Sequence, residues 1–292
     1  MENKVCGFKG FNKGLVCNGG RRPKKYKENT TYSLRPASLG QEFLKLCYRG
    51  FHFCKHPLSV FHYYAPSTSE FARVEAKGEV ESGLYKSCTN KIKILSKISV
   101  YELITESLRY LRRCYRDNFK EAGGDGVLDI AENPFSARIT SAVRGIAAVK
   151  ATDSVAECCG SAIAAATGYA SAALADGSNA IAATISDRSV AMDTCSGSIS
   201  CSTGDYSLVS SHELAAAAGF NSVADAATPG AIAVSSRGQA KGVVGSWLVL
   251  RDLACFSRFE HGYKAVKLFY VDGKKVKADT LYRLYKGELK EV

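Results

Sequence analysis

The chain has 292 residues, 46% hydrophobic and 23% charged, a composition that is typical of a soluble globular protein and excludes an intrinsically disordered one. Nowhere do 18 apolar residues follow one another, so we expect no membrane-spanning helix and no membrane partner. The net charge of +11 divides unevenly, because residues 1–120 carry 23 Lys and Arg against 10 Asp and Glu, residues 121–240 carry 5 against 12, and residues 241–292 carry 11 against 6. The basic ends predict an acidic partner.

Residues 1–98 are predicted to form a basic, β-rich N-terminal domain of an α+β type. The segments Phe71–Ala76 and Lys91–Leu95 alternate polar and apolar residues, as strands buried on one face do. Asn12, Lys13 and Gly14 have the composition of a hairpin turn.

The densest positive charge of this domain lies between residues 21 and 27. Such a run is often only a solvated loop, and the alternative is a site that binds an acidic surface. The partner is then a nucleic acid, a nucleotide or a host protein. The predicted binding residues are Arg21, Arg22, Lys24, Lys25 and Lys27.

Five Cys and His residues cluster between positions 47 and 62. They lack the second paired motif of a zinc finger. His52 and Cys54 stand two apart, so they share one face of a strand whose core they can simply fill. We therefore expect no metal and no other cofactor at Cys47, His52, Cys54, His56 and His62.

Residues 99–124 are predicted to form a connecting basic helix. Ser99 and Glu102 make a capping box, and Gly123 and Gly124 end the helix. Four arginines at helical spacing make a basic face, which is either solvated or a contact for phosphate or an acidic protein. They are Arg109, Arg112, Arg113 and Arg116.

Residues 125–240 contain an internal repeat. A small apolar residue recurs every eight or nine positions, Gly, Asn and Asp punctuate the intervals, and Ser repeatedly precedes the apolar step. This pattern predicts a parallel β-solenoid (β-roll) with two strands and about 17 residues per coil, in five and a half coils. The alternative is a bundle of Ala-rich helices, which at this spacing would be too short to be stable. The steps are Ile139, Ile146, Val155, Ile163, Ala172, Ile181, Val190, Ile199, Leu208, Ala216, Val223 and Ile232.

The middle of the chain also predicts self-association. Residues 121–240 include 30 Ala, so the interior of each coil is expected to be mostly Ala and to bury little apolar area. We therefore expect solenoids from several chains to pack together as a homo-oligomer, with a trimer as the first estimate.

Residues 241–292 are predicted to form a C-terminal β cap that covers the open edge of the solenoid. Gly245–Leu250 reads as a buried strand, Val271–Val276 as a hairpin that turns on Asp272 and Gly273, and Lys286–Gly287 as a second turn.

Two resemblances follow from these motifs. Ser189–Asp193 and Ser222–Asp225 resemble the Ser-Val-Ala-x-Gly head repeats of trimeric autotransporter adhesins. The combination of Gly7–Asn12, Gly50–Cys54 and the late Lys277–Tyr282 resembles an uncharacterised family of phage and prophage proteins that join this N-terminal domain to an Ala/Ser/Gly repeat array and a C-terminal cap. The second resemblance covers nearly the whole chain and implies a viral origin without supplying an activity.

A third resemblance is enzymatic. The segment Gly50–Cys54, with Tyr64 and the strand that follows, is loosely similar to a motif of ADP-ribosyltransferases. It implies that His52 and Tyr64 hold a nicotinamide nucleotide and that Glu75 is the catalytic acid. No Walker-type loop, dinucleotide fingerprint or nucleophile elbow occurs, so a binding protein is favoured over an enzyme.

These observations lead to one expected function and two alternatives. Eleven irregularly spaced Cys favour free thiols in a reducing compartment, here the cytoplasm of an infected bacterial host. We expect a non-enzymatic phage protein that assembles through its solenoid and inhibits or sequesters a host defence factor through its basic N-terminal module. A virion fibre or receptor-binding component and an ADP-ribosyltransferase-like enzyme are the alternatives.

Overall fold

The structure is a computed structural model that describes residues 4–17, 23–34, 44–122, 128–140, 145–252 and 266–292. The chain divides into two compact units, Met1–Tyr110 and Leu111–Val292. The first is an N-terminal β domain, and the second holds the solenoid and its cap.

The N-terminal unit is built from antiparallel strands. Strands β1, β6, β9 and β4 form a four-stranded sheet in that order, β5, β8 and β7 form a three-stranded sheet, and β2 pairs with β3. The alternating segments at 71–76 and 91–95 fall within β6 and β9, as predicted. The strands are β1 (Val5–Phe11), β2 (Val16–Cys17), β3 (Lys24–Lys25), β4 (Thr30–Ser33), β5 (Phe51–Phe53), β6 (Glu70–Ala76), β7 (Val80–Ser82), β8 (Ser87–Thr89) and β9 (Lys91–Ile98), with a 3₁₀ helix at Leu58–His62.

Helix α1 (Val100–Cys114) begins at the predicted capping box. The backbone N–H of Ser99 donates to Glu102 Oε2 at 2.8 Å, and the N–H of Glu102 donates to Ser99 Oγ at 3.2 Å. The helix ends at Cys114, earlier than Gly123, because a 3₁₀ turn at Arg116–Asn118 and the first solenoid strand follow it. Gly123 and Gly124 lie outside the described residues.

The predicted parallel β-solenoid is confirmed. Even-numbered strands from β10 to β24 stack in one parallel sheet and odd-numbered strands from β11 to β25 in another, two strands to a coil. The array makes about seven turns over residues 119–250, more than the five and a half expected, because it begins at Phe119 and its last strand continues to Arg251. The strands are β10 (Phe119–Ala122), β11 (Leu128–Ala131), β12 (Ala137–Thr140), β13 (Ile146–Val149), β14 (Val155–Cys158), β15 (Ile163–Ala166), β16 (Ala172–Ala175), β17 (Ile181–Thr184), β18 (Val190–Asp193), β19 (Ile199–Ser202), β20 (Leu208–Ser211), β21 (Leu214–Ala217), β22 (Val223–Ala226), β23 (Ile232–Ser235), β24 (Gln239–Gly242) and β25 (Trp247–Arg251).

The strand alternation explains the Ala content. The second and fourth residues of most strands point into the coil and are fully buried, as Ala164, Ala166, Ala182 and Ala233 show. The interior therefore consists largely of Ala, as expected. The first and third residues of each strand lie on the opposite face. In the odd-numbered sheet they are partly exposed, whereas the first residues of most even-numbered strands, such as Val155, Val190 and Val223, are buried.

Corners of the solenoid are specified by one backbone position and one side chain. The residue two before a strand often adopts a positive φ and is often followed by Ser, for example Asp153 at 54°, Arg188 at 56° and Asn221 at 52°. The Ser that follows is buried and links coils, since Ser222 Oγ donates to the carbonyl of Gly204 at 2.8 Å and accepts the N–H of Ser207 at 3.2 Å. This is the physical reason for the Ser that precedes the apolar step.

The C-terminal strands cap the array. Strand β26 (Val266–Tyr270) pairs antiparallel with β25, and β27 (Tyr282–Tyr285) pairs with β24 and with β28 (Glu288–Glu291). Lys286 and Gly287 turn with φ of 51° and 78°, as the predicted second turn requires. The segment at 271–276 is a loop and not a hairpin, because the Asp272 carboxylate accepts three consecutive N–H groups and holds the chain in a tight turn.

Candidate ligand-binding cavity

A cavity of about 690 Å³ lies within the N-terminal unit. Its walls come from β1, from the β2–β3 ribbon, from β5 with the residues before it, and from the 3₁₀ helix. The volume falls in the range that small-molecule sites occupy, roughly 300–1,000 Å³.

Lys9 brings a positive charge into the wall of this cavity. It lies on β1 on the same face as Phe11, and only 7% of its surface is exposed. Its Nζ donates to the carbonyl of His52 at 2.7 Å and lies 5.6 Å from the ring centre of Phe11 and 5.7 Å from that of Tyr26. Burial lowers the pKa of Lys9 below its ordinary value, which is the cost of placing an ammonium among aromatic rings.

Lys24 supplies a second charge on the same side of the cavity. Its Nζ lies 4.5 Å from the ring centre of Phe51, 4.9 Å from Tyr32 and 5.3 Å from Tyr26. Burial, and then the charge of Lys9, lower the pKa of Lys24. Two ammonium groups thus face the same Tyr26 ring.

The predicted basic run is divided by strand alternation. Lys24 lines the cavity and Tyr26 is buried, whereas Lys25 and Lys27 are exposed to solvent. Arg21 and Arg22 lie outside the described residues.

Lys86 and His52 complete the polar lining. Lys86 Nζ lies 5.0 Å from the ring centre of Tyr63. The backbone N–H of Cys47 donates to His52 Nε2 at 3.1 Å, so this nitrogen is unprotonated. Burial first, and then the cations of Lys9 and Lys86, lower the pKa of His52 and keep the imidazole neutral. Among the described residues no carboxylate side chain lines the cavity.

Aromatic rings make up much of the remaining wall. Tyr64 packs directly over Gly10, where an added Cβ would stand 2.5–2.7 Å from the ring. The Tyr64 hydroxyl donates to Cys17 Sγ at 3.4 Å, and burial raises the pKa of Tyr64 and of Tyr26. Gly10, the second glycine of the Gly-Phe-Lys-Gly-Phe segment, therefore leaves the space that the Tyr64 ring needs to form a wall of the cavity.

The Cys and His cluster does not converge on one point. The ring of His56 is buried between the hydroxyls of Ser107, 3.0 Å from Nε2, and Ser59, 3.5 Å from Nδ1. His62 stacks on Tyr85 at 4.5 Å. Over the part of the chain that is described, no group of three or more His, Cys, Asp or Glu is placed to hold a metal ion.

The four predicted helix arginines are not among the residues that line the cavity. Arg109 pairs with Glu106 at 2.9 Å and Arg112 pairs with Glu121 at 3.3 Å, while Arg113 and Arg116 are exposed. Carboxylates therefore already balance part of the predicted basic face.

The residues of the transferase resemblance are placed in two different environments. His52 and Tyr64 line the cavity. Glu75 is not part of the lining, and its carboxylate pairs with Lys77 at 3.3 Å and Lys4 at 3.7 Å.

Sequence reasoning missed two of the three cavity lysines. The signal for Lys9 was present, since its same-face neighbours Gly7 and Phe11 predict a buried position. Lys86 carries no such signal, because only the fold brings it to the cavity.

Residues 5–106 match the model of a domain of unknown function, DUF7666. The match includes the cavity and leaves the solenoid outside it. Neither the curated proteins nor the solved structures include a match to this chain. Within the described ranges no helix is long and apolar enough to cross a membrane.

Proposed function

We propose that the protein is a non-enzymatic binding protein whose N-terminal cavity holds a nucleotide. The observation that carries the proposal is the lining: Lys9, Lys24 and Lys86 contribute positive charge, and none of them forms an ion pair with a carboxylate among the residues described. A bound anion would offset both their mutual repulsion and the cost of their burial.

A nucleotide fits this lining better than other anions do. Its phosphate matches the ammonium groups of Lys9 and Lys24, with charge-assisted hydrogen bonds that are roughly twice as strong as neutral ones. Its base matches the exposed ring of Tyr48 in the lining, since stacking on an aromatic side chain contributes about 1–3 kcal/mol per base. The enclosed shape favours a mononucleotide or a short oligonucleotide over duplex nucleic acid.

The wider role rests on the sequence resemblance and on the repeat array. A phage protein in the cytoplasm of its host would inhibit a host defence factor by sequestering a nucleotide that this factor uses. Assembly through the solenoid would place several cavities in one particle and raise their effective affinity for a multivalent partner.

Isothermal titration calorimetry with AMP and ATP tests the cavity. We expect both to bind, with adenosine and inorganic phosphate at least tenfold weaker because each lacks half of the contacts. Lys24→Gln should weaken AMP binding at least tenfold, whereas Lys25→Gln, its exposed neighbour on the same strand, should leave binding unchanged.

Two results would contradict the proposal. The first is that AMP, ATP and the other ribonucleotides, each at millimolar concentration, give no heat of binding and do not compete with one another for the protein. The second is an equal loss of binding in Lys24→Gln and Lys25→Gln, which would assign binding to the exposed run.

A further inference from the structure

The odd-numbered sheet of the solenoid carries an uninterrupted apolar strip on its outer face. From β13 to β25, the first residues of successive strands pair in register, and Trp247 then pairs with Tyr270 of β26. The third residues form a second column beside them. The strip comprises Ile146, Ala148, Ile163, Ala165, Ile181, Ala183, Ile199, Cys201, Leu214, Ala216, Ile232, Val234, Trp247, Val249, Leu268 and Tyr270.

The strip is open to solvent in the single chain. Each of its isoleucines at 163, 181, 199 and 232 is 36–38% exposed, and Leu268 on the edge strand is 59% exposed. Neighbours above and below cover the rest of each side chain.

The two sheets differ in this respect. The outward column of the even-numbered sheet includes Glu157, Asp225 and Lys241, and the last two form an ion pair at 3.0 Å. The apolar strip contains no charged residue. Folding of the solenoid alone does not require one outer face to carry charged residues and the other to lack them.

The dimensions of the strip suit an interface. Eight strands at about 4.8 Å span roughly 34 Å, and two columns about 6.6 Å apart are about 12 Å wide with their side chains. Each strip has a flat projected area of about 400 Å², so two facing strips have about 800 Å² in total. The accessible surface that they bury is larger than this projected area because the side chains form ridges. The area therefore lies near the lower limit of specific interfaces, about 1,000–1,200 Å² in total.

We propose that this strip is the surface on which a second copy of the chain packs, strip against strip. The ridges repeat at the coil spacing, so the face that matches them in period is another copy of the same face. Its lack of charge lets two chains of net charge +11 meet without bringing like charges into contact. This proposal specifies the solenoid assembly of the proposed function and stands whether or not the cavity binds a nucleotide.

Light scattering coupled to size-exclusion chromatography tests the full-length protein between about 1 and 100 µM. We expect a mass of at least twice the 31.4 kDa chain, with a dissociation constant in the micromolar range for an interface of this area. The double variant Ile181→Lys/Ile199→Lys places two charges at the centre of the strip and should shift the protein to monomer, weakening association at least tenfold.

A matched control separates the strip from a general effect of charge. Tyr206→Lys/Phe220→Lys adds the same charge at exposed apolar residues in the turns of the same solenoid, 37% and 49% exposed, and should associate like the native protein. Circular dichroism should show that both variants keep the native strand content.

Three outcomes would overturn the proposal. They are a monomeric native protein at 100 µM, an unchanged mass in the Ile181→Lys/Ile199→Lys variant, and a native monomer that instead floats with phosphatidylcholine vesicles. AMP binding by a monomeric protein would leave the cavity proposal standing, so the two failures are distinguishable.

Discussion

Replacing Lys9 by Met should stabilise the N-terminal unit and at the same time weaken its binding of nucleotides. Met keeps most of the apolar stem and loses the ammonium. The ammonium donates a hydrogen bond of 2.7 Å to the His52 carbonyl and lies 5.6 and 5.7 Å from the centres of two aromatic rings. It also interacts with the Cys17 side chain.

The magnitude follows from these contacts. A hydrogen bond from a charged group contributes about 1.5–3 kcal/mol and each cation–π contact about 0.5–2 kcal/mol, against several kcal/mol lost when the ion leaves water. Replacing buried ions by apolar residues of similar size is neutral or stabilising by about 1–4 kcal/mol, so we expect Lys9→Met to raise the free energy of unfolding by about 1–2 kcal/mol. Loss of a charge-assisted bond to phosphate should weaken AMP binding about 10- to 100-fold.

The pH dependence gives the same prediction a second readout. Burial lowers the pKa of Lys9 in the folded chain below the ordinary value of 10.5. Between these two pKa values the unfolded chain binds a proton that the folded chain does not, so the free energy of unfolding rises with pH across that window. Below the lowered pKa the lysine is charged in both states, and the full cost of burying it is present. The Lys9→Met variant should lack this rise.

Hydrogen exchange measured by mass spectrometry on peptides from β6 and β9 reports the opening free energy of this unit, whereas fluorescence of the single Trp247 reports on the solenoid. Lys25→Met, at an exposed lysine, is the control and should change stability by less than about 0.5 kcal/mol. A Lys9→Met variant that is less stable than the native protein and binds AMP equally well would refute the reasoning.

Three further changes test the cavity wall, the corner serines and the strip. Gly10→Ala forces the Tyr64 ring aside, so calorimetry should show weaker AMP binding, with a stability loss of about 1–3 kcal/mol. Ser222→Ala leaves the buried N–H of Ser207 without its acceptor and should lower the free energy of unfolding in chemical denaturation by about 1–3 kcal/mol. Ser236→Ala, at a half-buried serine whose hydrogen bond to the Ala218 carbonyl is exposed, should lower it by less than about 0.5 kcal/mol. A short bismaleimide should link Cys201 of two chains, since Cys201 lies on the central strand of the odd-numbered sheet, and peptide mapping should find no such link after Cys201→Ser.

The solenoid could be predicted from sequence because its rules are local. Ten of the twelve predicted apolar steps are the first residues of strands, and the exceptions, Ile139 and Ala216, are third residues. Every corner repeats the same few positions, so each coil carries its own signal. The count of coils was wrong only at the ends, where the strands no longer carry the Ala-rich pattern.

The cavity could not be predicted in the same way because its residues are distant in sequence. Antiparallel pairing of β2 with β3 turns Lys24 toward Phe51, and the β5–β8 pairing positions the segment that carries Lys86. The composition of the 21–27 run indicated binding, but only the strand register shows that Lys24 and Lys25 face opposite ways.

The strip explains why the larger apolar side chains of the solenoid lie on its outer face and the smaller ones in its interior. The coil interior holds Ala, whose methyl group buries little, while the larger Ile side chains at positions 163, 181 and 199 stand outside. At about 0.8 kcal/mol per buried CH₂, placing Ile inside and Ala outside would give a lone rod a stronger core. Placing Ala inside and Ile outside becomes favourable when the outer face is covered by another chain, because the Ile columns then form the core of the assembly. A solenoid that functions as a monomer should tolerate Ile181→Thr and Ile199→Thr without loss of stability at any protein concentration. A thermal unfolding midpoint that rises with protein concentration in the native chain and not in the Thr variant would show that the strip is buried between chains.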